Sequence, residues 1–496
     1  MSEVIELEIQ DQPAAGNPKP GLRGRCLGAW AVLGQSIANI GPSGAPMVSI
    51  PAVAASAAGG TWLAFLLATV GVILVAANIN AFARDSSGTG SLYDYIARSL
   101  GATVGVLGGW ALAIAYIGCG AACVPLVPHF LNVLLAPFHV HFSPLLVSVV
   151  LVGGVWYCAW KDMRLSAHLM LTIELSAVAV GTILALVILF KQGGKIDASQ
   201  FRLGSLSFSG VGQGTVLAFM ALVGFESAAS LGDEARNPLR TIPRAIIASS
   251  LIAGAYFILH GYSMVAGFRG LPTGLAASQS PVSDVAKAFG VPVLAVVLNT
   301  AGLVSSFSIV LASINAGART LFLLSRHGVL PPAFSSVHHI NQTPSFSVTV
   351  SSVVALAVVI PMTLAGLPAR VIWGYVGSIC TFGFLLAYLL ITIGTPIYLR
   401  RQGRLQTWNL VVSALATVVV LFPIAGSLYP VPPYPQNLLI YIFAGLIAVG
   451  LGWFLILRAR HPEIVERIHG HVADSYERFA VERASLTGAA IQEQTL

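Results

Sequence analysis

The sequence predicts an all-α integral membrane protein with twelve transmembrane helices, and three observations carry that reading. Apolar residues make up 56% of the 496 positions and charged residues only 9%, whereas soluble domains run to about 25% charged. Apolar stretches of roughly 20 residues, the length that crosses a bilayer, follow one another along the chain. Two of them, the first and the sixth, are interrupted near their middles.

Residues 1–24 are polar and carry Pro13, Pro18 and Pro20. They lack the pattern of a removable signal peptide and read as a disordered cytosolic tail. Apolar spans are expected at 25–57, 61–83, 103–128, 144–160, 168–190, 211–232, 243–267, 291–317, 345–366, 371–398, 407–427 and 437–457. The first is too long for one plain helix, and the fourth is short. Residues 281–289 read as a short amphipathic piece on the outer face. In the polar tail 458–496, Ile464, Ile468, Val472 and Phe479 hint at one amphipathic helix. The expected division is therefore a cytosolic tail to 24, a membrane-embedded core of ten helices over 25–400, two accessory helices over 401–457 and a cytosolic tail from 458.

The net charge of +7 does not point to nucleic acid, because the basic residues sit in short loops beside apolar spans, where they set orientation. With both termini in the cytoplasm, only Lys191, Lys195, Arg202, Arg269, Lys287 and Arg370 fall outside. That predicts a multi-pass protein of the cell membrane. The five cysteines, Cys26, Cys119, Cys123, Cys158 and Cys380, lie in or beside apolar spans as small packing residues. There is no nucleotide loop, no nucleophile–base order and no zinc spacing, so no enzyme activity, cofactor or metal is expected.

The first interruption is Gly41-Pro42-Ser43-Gly44-Ala45-Pro46. Its prolines remove two amide donors and clash with preceding carbonyls. Released backbone groups at membrane depth need partners, so such a break belongs in the protein interior or against a cavity. The sixth span carries Val223-Gly224-Phe225-Glu226 at the same depth. A charged side chain there costs about 2.5–3.5 kcal/mol on insertion scales. Breaks in matching spans of two five-helix halves point to a transporter with inverted repeats and a midplane site. Half-helix N-termini suit a carboxylate, and half-helix C-termini suit an amine or cation.

Glu226 is the first candidate for proton coupling or amine binding; the alternative is an acid that hydrogen-bonds the broken backbone. Glu174, in the fifth span, is the second candidate for coupling. Phe219, Met220 and Phe225 flank the sixth break, where an aromatic ring attracts an ammonium by about 0.5–2 kcal/mol, and Tyr116 of the third span is placed with them. Gly224 opens the break itself. Ser305, Ser306, Ser308, Ser378 and Thr381 are candidate cation ligands, although such hydroxyls commonly bond their own helix. His260 reads as a packed, hydrogen-bonded residue. Arg236 beside Asp233 and Glu234 is a candidate inner gate of ion pairs.

The chain resembles the amino acid–polyamine–organocation permeases over about residues 25–400. The resemblance is carried by Ser87-Gly88-Thr89-Gly90-Ser91-Leu92-Tyr93-Asp94-Tyr95 with Gly101, Gly105 and Gly108-Gly109-Trp110, and by Gly224-Phe225-Glu226. It continues in Asp233-Glu234-Ala235-Arg236-Asn237-Pro238, Ile242-Pro243-Arg244-Ala245, Ala318-Arg319, Ser325-Arg326-His327-Gly328-Val329-Leu330-Pro331 and Thr343-Pro344. It implies a five-plus-five inverted repeat with broken helices 1 and 6, alternating access, and a small amine-bearing substrate. It also implies Gly41, Ser43 and Gly44, with Ile40 before them, as contacts for a substrate carboxylate. Two departures stand out. The first break carries prolines where the family often has a glycine–serine–glycine run. The fifth span has Glu174 and no lysine, where some members place a lysine.

The expected function is secondary active transport of an amino acid or related amine, coupled to protons. Exchange of amino acids or polyamines, and a membrane nutrient sensor that does not transport, are the alternatives. The expected partners are the small-molecule substrate, protons, the lipid bilayer and a second copy of the chain in a homo-oligomer.

Overall fold

The computed structural model describes residues 26–86, 91–161, 165–194, 196–202, 206, 208–232, 234–429 and 431–494. The predicted N-terminal tail, residues 87–90 of the motif, Arg164, Lys195 and the gate candidate Asp233 lie outside them. Among the described residues all regular structure is helical, and the one extended pairing is a bridge between Leu27 and Ala235.

The helices are α1 (Ala29–Ile40), α2 (Ala45–Ala57), α3 (Thr61–Ala83), α4 (Ser91–Leu100), α5 (Ala102–Cys123), α6 (Leu126–Leu135), α7 (Pro144–Lys161), α8 (Leu165–Lys191) and α9 (Phe208–Leu222). After the 3₁₀ stretch Phe225–Leu231 come α10 (Pro238–Gly267), α11 (Pro281–Ala288), α12 (Pro292–Arg326), α13 (Ser345–Leu364), α14 (Ala369–Arg401), α15 (Thr407–Gly426), α16 (Leu439–Arg460) and α17 (Glu463–Gln494). Eleven stretches among the described residues are long and apolar enough to cross a membrane. The expected first span divides differently from a plain helix. Its 12-residue opening half, α1, is too short by itself, and α2 runs through a tight turn at Ala58–Gly60 so that Ala45–Ala83 forms one apolar stretch. Helices also outrun their apolar segments. α12 continues to Arg326, beyond the 317 expected, because a helix extends past hydrocarbon as long as its backbone bonds continue.

The 35 residues of α12 make a rod of roughly 50 Å. It separates two ends of the bundle. At one end lies α11, the predicted amphipathic piece, with Val282, Val285 and Ala286 buried. At the other lies α17. Ile464, Ile468, Val472 and Phe479 are all buried there, so the periodicity in the tail marks a helix packed on α4, α5 and α16. Beside it the Tyr93 hydroxyl and His327 Nδ1 lie 2.6 Å apart. Burial, with His471 beside it, pushes His327 down to about 3, so this contact stays neutral at physiological pH.

In lipid, helices associate by close packing and small residues more than by apolar attraction. α5 and α14 approach in that way. A side chain at Gly383 would meet the Ala111 carbonyl at 2.6 Å, and one at Gly118 would meet Cys380. α2 packs along α9, where a side chain at Gly214 would strike Ala57 at 2.8 Å. α15 and α16 are the least buried of the long helices.

Candidate functional site

The first break is a four-residue turn, Gly41 to Gly44. α1 closes on Gly41, whose left-handed φ of 61° turns the chain out of the helix while its N–H still reaches the Ile37 carbonyl. The Gly41 carbonyl then accepts from the N–H groups of Gly44 and Ala45, starting α2 with Pro46 in its first turn, where no donor is needed. A Cβ on Gly41 would lie 2.9 Å from Ser305 Oγ and closer still to Ile309.

The second break is built likewise. α9 ends at Leu222, and Gly224 at φ 96° starts the 3₁₀ stretch. Its left-handed backbone and the Asn39 side chain packed against it leave only glycine at ease there. Gly224→Ala is expected to cost about 1–3 kcal/mol from the backbone alone. Gly28→Ala, with open space around it at ordinary φ, is expected to leave the thermal midpoint of detergent-solubilised protein unchanged.

The two breaks hold each other. Ser36 Oγ on α1 donates to the Phe225 carbonyl (2.6 Å) and accepts from the Ala228 N–H (3.1 Å), while Ser227 Oγ donates to the Gln35 carbonyl. At the α17 end the N–H groups of Cys26 and Leu27 donate to the Glu234 carbonyl, and Arg236 N–H donates to the Leu27 carbonyl. α1 and Phe225–Leu231 are thus bonded at Gln35 and Ser36, and the chain just outside them is bonded again at Cys26, Leu27, Glu234 and Arg236.

Both coupling candidates are completely buried and each is bonded at a break. Glu226 accepts from the Tyr116 hydroxyl at Oε1 (2.9 Å) and from the Tyr388 hydroxyl at Oε2 (2.5 Å), tying the second break to α5 and α14. Glu174 on α8 reaches the first break. Its Oε2 accepts from both Ser43 Oγ (2.7 Å) and Ser43 N–H (3.2 Å), and its Oε1 has no hydrogen-bond partner among the described residues. Ser305 Oγ, packed against the same turn, has none either. The other hydroxyl candidates follow the local pattern: Ser306, Ser308, Ser378 and Thr381 each donate to a carbonyl one turn back in their own helix.

Between the breaks lies a cavity of about 30 Å³. Ile40 and Met220, both expected at the site, line it, as do Ala45 and Val223, which flank the turns. Phe219 faces α3 at Gly71, and Phe225 packs 5.4 Å from the Tyr388 ring; neither lines the cavity, nor do Tyr116 and Glu226. Asn39 was not anticipated. Its Oδ1 accepts from Ser313 Oγ (2.6 Å), while its Nδ2 is a buried donor without a partner on the cavity wall. An asparagine two residues before a Gly-Pro break in an apolar run was the available signal. His260 is buried against Tyr256, at a second cavity of about 10 Å³ that also touches Ser43.

The gate candidates separate. Glu234 is buried and forms a two-pronged pair with Arg319 of α12, at 2.8 and 3.0 Å from Nη2 and 3.1 Å from Nε. Arg236 is exposed and stands outside that pair. Sequence neighbourhood suggested Arg236; the fold brings an arginine 85 positions away.

The profile of the family described as amino acid permease matches residues 32–431. The chain is 28% identical over 380 residues to a branched-chain amino acid permease of Lactococcus lactis, covering 71% of this chain and 77% of that one. Over 460 residues it is 23% identical to a branched-chain amino acid permease of Bacillus subtilis, covering 87% of each. Over 357 residues it is 24% identical to cationic amino acid transporter 4 of Mus musculus, covering 66% and 53%.

Proposed function

Because this chain belongs to the amino acid permease family and is accordingly a multi-pass membrane transporter, we propose that it moves an amino acid or related amine by proton-coupled alternating access. The observation that carries the reading is the pair of interrupted helices bonded to each other around one cavity. Twelve crossings in a five-plus-five repeat, with both termini and α17 on the cytoplasmic side of the cell membrane, fit that arrangement.

Ser43 is the coupling point in this proposal. Ionised Glu174 holds both the N–H and the hydroxyl of Ser43, and charged hydrogen bonds are about twice as strong as neutral ones. A proton on the unpartnered Oε1 weakens that hold and frees Ser43 for the carboxylate of an incoming amino acid. The donor at Asn39 Nδ2, on the wall of the neighbouring cavity, is a further contact for the substrate, and backbone carbonyls freed at the breaks receive the amine. Proton and substrate then enter together, which is symport. Glu226, with both oxygens engaged, pins the break rather than cycling.

The test is accumulation in proteoliposomes under an imposed proton gradient, with amino acid exchange as the companion assay. Glu174→Gln is expected to keep exchange and to lose gradient-driven accumulation, by at least about tenfold. Accumulation at the wild-type level in that variant would overturn the coupling role.

A further inference from the structure

A cavity of about 220 Å³ lies where α17 packs against the bundle. One face of α17 walls it, through Tyr476 and Glu477 with Ala473 and Ala480 a turn to either side, since positions three and four apart share a helix face. The rest of the wall is Arg98 of α4, Asp85 just after α3, and Tyr398 and Gln402 at the end of α14. The two alanines carry only a methyl group, so the space between the larger residues stays open. It is smaller than the roughly 300–1,000 Å³ of pockets for drug-sized ligands, which suits a small metabolite or a headgroup. It shares no residue with the cavity between the broken helices.

The charges on this wall are not matched to one another. Asp85 is engaged, because its Oδ2 accepts from the Tyr398 hydroxyl (2.8 Å) and from Arg404 (2.7 Å). Arg98 lies over the Tyr476 ring, its guanidinium carbon 5.0 Å from the ring centre. That contact engages its charge and leaves N–H groups for an acceptor. Among the described residues no carboxylate forms an ion pair with it. Glu477 is exposed and likewise has no ion pair among the described residues. A cation and a carboxylate thus border one space without meeting. Beside both, Tyr476 is buried, 8% exposed, and its hydroxyl has no hydrogen-bond partner among the described residues.

We propose that this cavity binds a small zwitterion, whose anionic group takes the Arg98 guanidinium and the Tyr476 hydroxyl while its ammonium takes the Glu477 carboxylate. Bonds to ionised groups are about twice as strong as neutral ones, and only a molecule carrying both charges answers both ends. The bound molecule joins α4 to α17 and so ties the tail helix to the bundle. The proposal stands apart from the transport reading. Two sources carry this chemistry, a free amino acid and the headgroup of an ethanolamine phospholipid.

The experiment follows backbone hydrogen exchange over residues 472–480 in purified full-length protein, where a bound ligand slows local opening. In detergent the probes are β-alanine and glycerophosphoethanolamine, with acetate and ethylamine as the separate halves. Nanodiscs of phosphatidylcholine, with and without phosphatidylethanolamine, test the lipid. A zwitterion is expected to slow exchange about tenfold at saturation, and acetate or ethylamine to leave it unchanged. Protection by the free probes identifies a soluble ligand, and protection by phosphatidylethanolamine alone identifies the headgroup; either sustains the site. Arg98→Gln and Glu477→Gln are each expected to weaken binding at least about tenfold. Tyr476→Phe keeps the ring under Arg98 and removes only the unpartnered hydroxyl, so it is expected to leave exchange of the free protein unchanged and to weaken the zwitterion about tenfold. Acetate or ethylamine protecting as well as β-alanine overturns the proposal, as does a segment that no probe and no lipid protects. Protection undiminished in all three variants overturns it as well, because the ligand then sits elsewhere.

Discussion

Glu234→Ala is expected to destabilise the protein by about 3–5 kcal/mol, among the largest effects of any single side chain away from the cavity. The pair it breaks is buried on both sides, with 12% of the Arg319 side chain and 9% of the Glu234 side chain exposed. Both carboxylate oxygens and two guanidinium nitrogens take part. Removing the carboxylate takes from an enclosed guanidinium the counter-charge that holds two of its nitrogens, and that loss is the origin of the penalty. The backbone bonds from Cys26 and Leu27 end on the Glu234 carbonyl and survive the substitution, so the effect isolates the ion pair. Thermal unfolding in detergent measures it. Arg236→Ala is the comparison, since that side chain is exposed and stands outside the pair; it is expected to leave the midpoint in place. Equal loss in the two variants would assign the effect to local charge rather than to the buried pair.

Glu226→Gln is expected to abolish transport at every pH instead of merely flattening its pH dependence. The two hydroxyls lie on opposite carboxylate oxygens, and an amide presents its oxygen to only one of them. The other meets the NH₂, and its own O–H loses its acceptor at a cost of roughly 1–3 kcal/mol. Tyr388→Phe carries the complementary prediction, because Oε2 then loses its hydroxyl donor, a bond worth about 1.5–3 kcal/mol to an ionised carboxylate. Since both variants loosen the same junction, the double change is expected to cost less than the sum of the singles. Uptake across a range of pH, with thermal midpoints alongside, separates the two roles open to Glu226. A Gln variant that transports at the wild-type rate with an altered pH profile would make it a proton carrier.

The parts of this molecule legible in the sequence are those whose cause is local. Gly41 and Gly224 announce breaks because a glycine and its neighbours decide whether a helix continues. Residues 281–289 and the spacing of Ile464, Ile468 and Val472 announce amphipathic helices, since periodicity is a property of consecutive residues. Glu174 and Glu226 stood out because a carboxylate in an apolar run is conspicuous anywhere. Their partners were not legible. Ser43 lies 131 positions from Glu174, and Tyr388 lies 162 from Glu226. Nothing in the composition of either stretch says which face of α8 or α14 turns inward. The same holds for Arg319, which competed with three nearer arginines, and for Asn39, whose role depends on α1 meeting Gly224. Hydroxyls divided on a finer point. Most of those considered close a bond to their own helix, and only the fold distinguishes Ser305, where the turn at Gly41 leaves its oxygen unclaimed.

The bonds between α1 and Phe225–Leu231, set beside the packing of α2 on α9, group the four half-helices into two couples. The chain crosses from one couple to the other at Gly41 and again at Gly224. In the alternating access proposed above, those two residues are where a turn between the couples is concentrated. A spectroscopic label on α1 is therefore expected to move with one on Ala228. A distance measured between α1 and α2 is expected to report the angle between the couples.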